Sequence, residues 1–152
     1  MNRPARASQL ISGTTPETVF AALLDVPRFP EWTFGLKQAR LLDGAESLAE
    51  GVSMSFTLSA AGFTHEVHST IDVLRSPRRI EWRYVKGAVG RGGWIVEMES
   101  PGTVRVTFWT DYEVHPAWLN RISHRTFFRE VAEDLLRRSM RHLSQRLSGR
   151  GG

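Results

Sequence analysis

An α+β fold is predicted, in which a curved antiparallel sheet of seven strands wraps around a long carboxy-terminal helix. Three observations carry that prediction. Apolar residues recur at helical spacing over Val19, Phe20, Leu23 and Leu24. The spacing then changes to strict alternation through a series of short segments, and the last third returns to steps of three and four residues. At 152 residues and 17.2 kDa the chain suits one domain and is too short for two ordinary ones, so residues 1–152 read as a single unit with a core at about 9–147.

The elements follow in order. A short strand begins near Arg6 and ends over Gln9–Ser12. Thr15 suits a helix cap, Pro16 the first helical position and Glu17 the positive helix end. The prolines in Val26-Pro27-Arg28-Phe29-Pro30 break that helix, leaving a turn and a second short helix. Phe34–Leu42 reads as a weakly patterned strand. Val52, Met54, Phe56, Leu58 and Ala60 alternate with serines and threonines, and Ala61-Gly62 makes the turn. Phe63, His65, Val67, Ser69, Ile71 and Val73 then share one face. Ile80, Trp82 and Tyr84 come next, the glycine-rich run Gly87–Gly93 reads as a flexible hairpin, and Trp94, Val96 and Met98 follow. After Pro101-Gly102 the last strand presents Val104, Val106, Phe108, Thr110, Tyr112 and Val114 on one face. Pro116 marks the approach to the final helix. Ile122, Phe127, Phe128, Val131, Leu135, Leu136, Met140, Leu143 and Leu147 form its apolar stripe, and Gly149 its stop. From Trp118 to Leu147 such a helix measures roughly 45 Å. Only a broad apolar surface covers a stripe that long.

Composition excludes several classes of function. With 41% hydrophobic residues the chain is neither disordered nor fibrous. Without cysteine it has no disulfide, no thiolate nucleophile and no thiolate-held metal. The net charge of +4 divides unevenly: residues 115–152 carry +5 and residues 1–114 carry −1. Arg137, Arg138, Arg141 and Arg146 make the last helix basic, which allows contact with anionic lipid. An amphipathic helix already required by the core accounts for the same pattern. No basic–aromatic motif supports specific nucleic-acid binding. Met1–Thr15 has no apolar segment after Arg3 and Arg6, so a soluble cytoplasmic protein is expected. Oligomeric state is not legible.

The alternation places His65, Trp82, Tyr84, Phe108, Thr110 and Tyr112 on the inner face and turns Glu66, Glu81, Arg83, Trp109 and Asp111 outward. An internal cavity lined by aromatics and a solid aromatic core both fit this pattern. His65 and Tyr112 are the candidate catalytic groups, His65 as a base near neutral pH, or else as a core histidine satisfied by Thr110 or Tyr112. His68 falls on the opposite face from His65, and His115, His124 and His142 are scattered, so no metal site is expected. No cofactor motif is present, because the glycine run lacks the Gly-Lys-Ser/Thr ending of a phosphate loop. Phe29, Trp32 and Gly90 are candidates for an entrance, with packing of the short helices as the other role for Phe29 and Trp32. Glu31 is either at the opening or at a helix end.

The element order resembles the helix-grip fold of the START/Bet v 1-like (SRPBCC) superfamily, in particular its bacterial polyketide cyclase/dehydrase and lipid-transport branch. The residues carrying it are Thr15-Pro16-Glu17-Thr18-Val19-Phe20, Asp25, Phe29-Pro30-Glu31-Trp32, Gly51, Ile80-Glu81-Trp82 and the closing helix, over about Gln9–Leu147. These are scaffold residues, so they specify fold better than function. The resemblance implies binding or carriage of a hydrophobic small molecule (a lipid, quinone or polyketide-like metabolite) in an internal cavity without a covalent step. One alternative is a cofactor-free polyketide cyclase or aromatase using His65, Tyr84, Thr110 and Tyr112, against which the lack of an inward arginine counts. A second alternative is a protein-interaction adaptor, supported locally by Trp109 and the arginine-rich helix.

Overall fold

A computed structural model describes residues 5–60, 63–114 and 125–148. Strand β1 (Ala5–Ser12) leads to α1 (Pro16–Leu24) and a 3-10 helix (Val26–Glu31). Strands β2 (Leu36–Leu41), β3 (Ser53–Ala60), β4 (Phe63–Arg75), β5 (Arg79–Lys86), β6 (Ala88–Ser100) and β7 (Thr103–Val114) follow, and helix α2 (Arg125–Leu147) closes the chain. All strands form one antiparallel sheet in the order β1-β7-β6-β5-β4-β3-β2. The expected α+β architecture is therefore present. The Ala61-Gly62 turn, His115, Pro116, Ile122, His124 and the Gly149 stop lie outside the described residues.

Local chemistry sets the first helices. The Thr15 hydroxyl accepts from the Thr18 amide at 3.2 Å, and Pro16 occupies the first turn as its fixed φ allows. Val19, Phe20 and Leu23 are buried beneath α1. Pro27 and Pro30 shorten the next segment to a 3-10 turn that buries Val26 and Phe29.

Helix α2 lies against the sheet through Met140 and Leu143, both about 1% exposed. It is also bolted to the start of β2. The Ser139 hydroxyl accepts from the Phe34 amide at 2.8 Å and donates to the Leu135 carbonyl at 2.7 Å. Beside this bolt Gly35 (φ 81°) accepts from the Ser59 amide at 2.7 Å, and a β-carbon on it would meet Leu135 at 3.0 Å. The arginine-rich face is partly neutralised: Arg138 pairs with Asp134 at 2.8 Å and Arg146 with Glu31 at 3.1 Å. Among the described residues no helix is long and apolar enough to cross a membrane.

Two expectations are corrected. Val73 does not share the inner face with Ile71, because a bulge between them makes Val73 face Glu81 and moves Leu74, opposite Ile80, into the core. The run Gly87–Gly93 is not a long hairpin: only Gly87 (φ 81°) turns, and β6 starts at Ala88. Its glycines serve close packing instead of flexibility. A β-carbon on Gly92 would lie 2.7 Å from the Trp82 indole nitrogen, and one on Gly93 2.7 Å from that of Trp109. Two tryptophans thus lie across adjacent glycines on opposite faces of one strand.

Gly90 adopts φ 131° and a β-carbon there would collide with the Asp111 carbonyl. Gly90→Ala is expected to destabilise the protein by about 1–3 kcal/mol, measured by urea denaturation, because both the dihedral and the neighbouring backbone oppose it. An unchanged midpoint would mean that the backbone at this position relaxes freely.

Candidate functional site

The inner face of the sheet has two unlike ends. Near the β4–β5 and β6–β7 turns, Ile11, Ile71, Ile80, Val96, Val104 and Val106 are sealed, each 3% exposed or less. Toward the other end Phe56, His65, Tyr84 and Phe108 point inward and are only half-buried, and Leu58 (42%) and Tyr112 (37%) are exposed. Inward side chains keep accessible surface only where nothing fills the space beside them. Among the described residues the inner face is thus sealed at one end and partly accessible along the other.

The open end is floored by missing side chains. Gly92 lies between Trp82 and Thr110, and Gly90 between Tyr84 and Tyr112. Tyr84 consequently leans across β6 to Thr110 on the second strand over, and the two hydroxyls meet at 2.6 Å. The rings of Tyr84 and Tyr112 lie 6.0 Å apart, those of Trp82 and Phe108 5.9 Å, and Trp94 stands edge-on to Phe108 at 4.9 Å. Burial pushes the Tyr84 phenol above its ordinary value, against the opposing hydrogen bonds from Thr110 and the Trp82 indole. It is a neutral donor at physiological pH.

Five of the six expected lining residues, Trp82, Tyr84, Phe108, Thr110 and Tyr112, form this cluster. His65 is placed otherwise. It lies opposite Leu58, and its Nε2 stands 2.6 Å from the Gly87 carbonyl, not from Thr110 or Tyr112. A carbonyl only accepts, so Nε2 carries the proton and Nδ1 keeps the lone pair of the neutral ring. His65 is thus fixed at the rim, tied to the β5–β6 turn.

The entrance candidates also occupy definite places. Phe29 and Trp32 are 6% and 5% exposed and belong to an aromatic chain. Phe29 stacks on Phe56 at 6.1 Å, and Trp32 meets Trp94 at 6.1 Å. They pack the short helices on the sheet instead of forming a lip. Gly90 is part of the β6 floor. Glu31 ends the 3-10 helix in its ion pair with Arg146.

Outward residues follow the expected register. Arg83 pairs with Asp72, and Glu66 accepts from His68 at 2.5 Å, a contact that holds its carboxyl below the usual range. Trp109 is half-covered above Gly93. Sequence reasoning missed the floor glycines and the special state of Ser69, which is fully buried with its hydroxyl unpartnered. The glycines had a signal, since they fall at alternate positions opposite large aromatics. Ser69 had none beyond its inward phase. Among the described residues no three His, Asp or Glu side chains gather as metal ligands.

A long terminal helix against a seven-stranded antiparallel sheet, with two short helices after β1, defines the helix-grip class of START/Bet v 1-like proteins. The chain belongs to the polyketide cyclase / dehydrase and lipid transport family, whose model matches residues 5–148. No curated protein matches it in sequence. Its fold is similar to the Zhui aromatase/cyclase from Streptomyces sp. R1128, with a TM-score of 0.78 at 13% identity over 97% of this chain and 94% of that one. A START superfamily protein from Mycobacterium smegmatis gives 0.74 at 12% identity over 97% of both chains. The di-domain aromatase/cyclase StfQ of the steffimycin biosynthetic pathway gives 0.70 at 11% identity, over 97% of this chain and 52% of that one. At these identities the likeness is one of fold.

The raised phenol of Tyr84 has a measurable consequence. The unfolded chain ionises this group at about pH 10 and the folded chain only at higher pH. Proton release therefore favours the unfolded state, and stability falls as pH rises beyond about 10. Tyr84→Phe is expected to remove that part of the alkaline slope. Phenolate absorbance of the native protein, compared between the two forms, should assign the missing titration to a midpoint above the ordinary tyrosine value. A midpoint at or below it would contradict the burial of this hydroxyl.

Proposed function

We propose that this chain takes up a hydrophobic small molecule between the sheet and α2, at the open end bounded by Phe56, His65, Tyr84 and Phe108. One observation carries the reading: these inward side chains keep accessible surface while the same face is sealed a few residues away. The lining is apolar and aromatic with few oriented polar groups, as small-molecule sites commonly are. Lipids, quinones and polyketide-like metabolites all suit such a lining.

Of the two uses of such a space, cofactor-free cyclisation or aromatisation of a polyketide-like chain is favoured over passive carriage. Two of the similar folds are named aromatase/cyclases, and the family description includes cyclases and dehydrases. The chain's own groups suit that chemistry. Confinement folds a flexible poly-β-ketone so that distant carbons meet. A base takes a proton from a methylene between two ketones, and the resulting carbanion forms a carbon–carbon bond to a third carbonyl. The alkoxide so formed regains a proton, and loss of water completes the ring without any redox step. His65 Nδ1 supplies the base, and the Tyr84 and Thr110 hydroxyls polarise ketone oxygens. Tyr112, at the opening, completes the candidate set.

Native mass spectrometry after gentle purification is expected to show a bound apolar species that organic extraction removes. Phe108→Trp should then weaken binding of an apolar probe while costing less than about 1 kcal/mol of stability, because the larger ring enters free space. In a filled core the same change costs about 1–3 kcal/mol and no probe binds, which would reject the cavity.

With a poly-β-ketone surrogate, the wild-type protein should alter the distribution of cyclised products. His65→Ala should slow that turnover by about a hundredfold with the fold intact. Binding without any change in products would leave carriage as the function.

A further inference from the structure

Ser69 is a buried polar side chain of the inner face with nothing to bond to. It is 0% exposed, and its hydroxyl meets no hydrogen-bond partner among the described residues. It stands on β4 between Val67 and Ile71, both buried and apolar. Across the sheet it is set against Met54 of β3 and Tyr84 of β5. Met54 offers only a thioether, and the Tyr84 hydroxyl is turned the other way, across β6 to Thr110 at 2.6 Å. Other cross-strand hydroxyls are paired: Ser8 with Thr107 and Ser53 with Thr70, each at 2.8 Å. An unmet buried hydroxyl carries the whole cost of its desolvation, and an alanine in the same place would not. Ser69 also stands at a boundary, with half-buried Tyr84 opposite it and sealed Ile71 next along its own face.

We propose that Ser69 is the far contact of the bound molecule and takes an alcohol or phenol hydroxyl carried by an apolar ligand. The inference rests on the cavity reading above and adds a specificity-determining residue that this reading does not use. Both roles of the Ser69 hydroxyl are open. A ligand hydroxyl meets either of them, by donating to its lone pair or by accepting its proton. Access comes by way of Met54, which neighbours Ser69 in the register. Its unbranched side chain turns about three bonds and repacks within a core, whereas the branched Val67 and Ile71 are stiff. Rotation of Met54 uncovers the serine from the accessible end and lets the ligand hydroxyl arrive as its ring fills the space.

Naphthalene, 1-naphthol and 2-naphthol test it, with the urea midpoint of the ligand-free protein as a second measurement. The two naphthols carry the hydroxyl at different edges of one ring system. Fluorescence titration of the wild-type protein should show binding of naphthalene and of at least one naphthol. In Ser69→Ala that naphthol's affinity relative to naphthalene should fall by about fivefold, the size of one neutral hydrogen bond. Naphthalene itself should bind as before. The ligand-free variant should be at least as stable as wild type, because it loses a hydroxyl that bonds to nothing. A lower midpoint, or failure to fold, would overturn the proposal by showing that the hydroxyl already has a partner, such as an ordered water. An unchanged naphthol-to-naphthalene ratio in Ser69→Ala would overturn it and leave the cavity standing. So would naphthalene binding to the wild type with neither naphthol bound. If none of the three binds the wild type, the cavity reading falls and this contact falls with it.

Discussion

The absence of side chains at the middle of β6 is the constraint on which the interior depends. Strand β6 lies between β5 and β7, and the inner positions facing Trp82, Tyr84, Thr110 and Tyr112 are Gly90 and Gly92. Any β-carbon at Gly92 would occupy the place of the Trp82 indole. Because that place is free, two large aromatics from β5 lie down across β6 instead of standing up into the interior. A tyrosine thereby reaches a threonine two strands away. The neighbouring glycine does the same for Trp109 on the outer face, so both surfaces of one strand are shaped by two adjacent residues.

Helix α2 acts on the other side of that space. Met140 and Leu143 of the helix are buried in one core with Ile80, Val96, Val104 and Val106 of the sheet. At roughly 25 cal/mol per Å² of apolar surface removed from water, such packing is the main source of stability. The Ser139 bolt to Phe34 opposes sliding of the helix along the sheet, because a shift would strand the Phe34 amide. The arrangement separates duties. One end of the sheet holds the molecule together, and the other is free to be incompletely filled.

That separation bears on the chemistry. Among the described residues the accessible part of the inner face is lined by aromatic rings, neutral hydroxyls and one imidazole. Tyr84 is a neutral phenol whose pKa burial raises further, and His65 is oriented by a backbone carbonyl and not by a carboxylate. Groups of this kind orient and polarise carbonyl oxygens and move single protons. The polar residues of the outer face, such as the Arg83–Asp72 and Arg105–Glu99 pairs, are exposed and balance one another.

Strand periodicity, the Thr15-Pro16 helix start and the closing amphipathic stripe were legible in the sequence, because each depends on spacing along the chain alone. So was the inward phase of Trp82, Tyr84, Phe108, Thr110 and Tyr112, since alternation decides it locally. Val73 was misread because a bulge depends on how β4 pairs with β5, not on either strand by itself. The Gly87–Gly93 run was misread because glycine signals both loose turns and tight packing, and only the tryptophans above it tell them apart. The partner of His65, the burial of Phe29 and Trp32, and the meeting of Tyr84 with Thr110 belonged to the tertiary structure alone. Each is a contact between residues far apart in the chain, whose distance is set by strand order and sheet curvature.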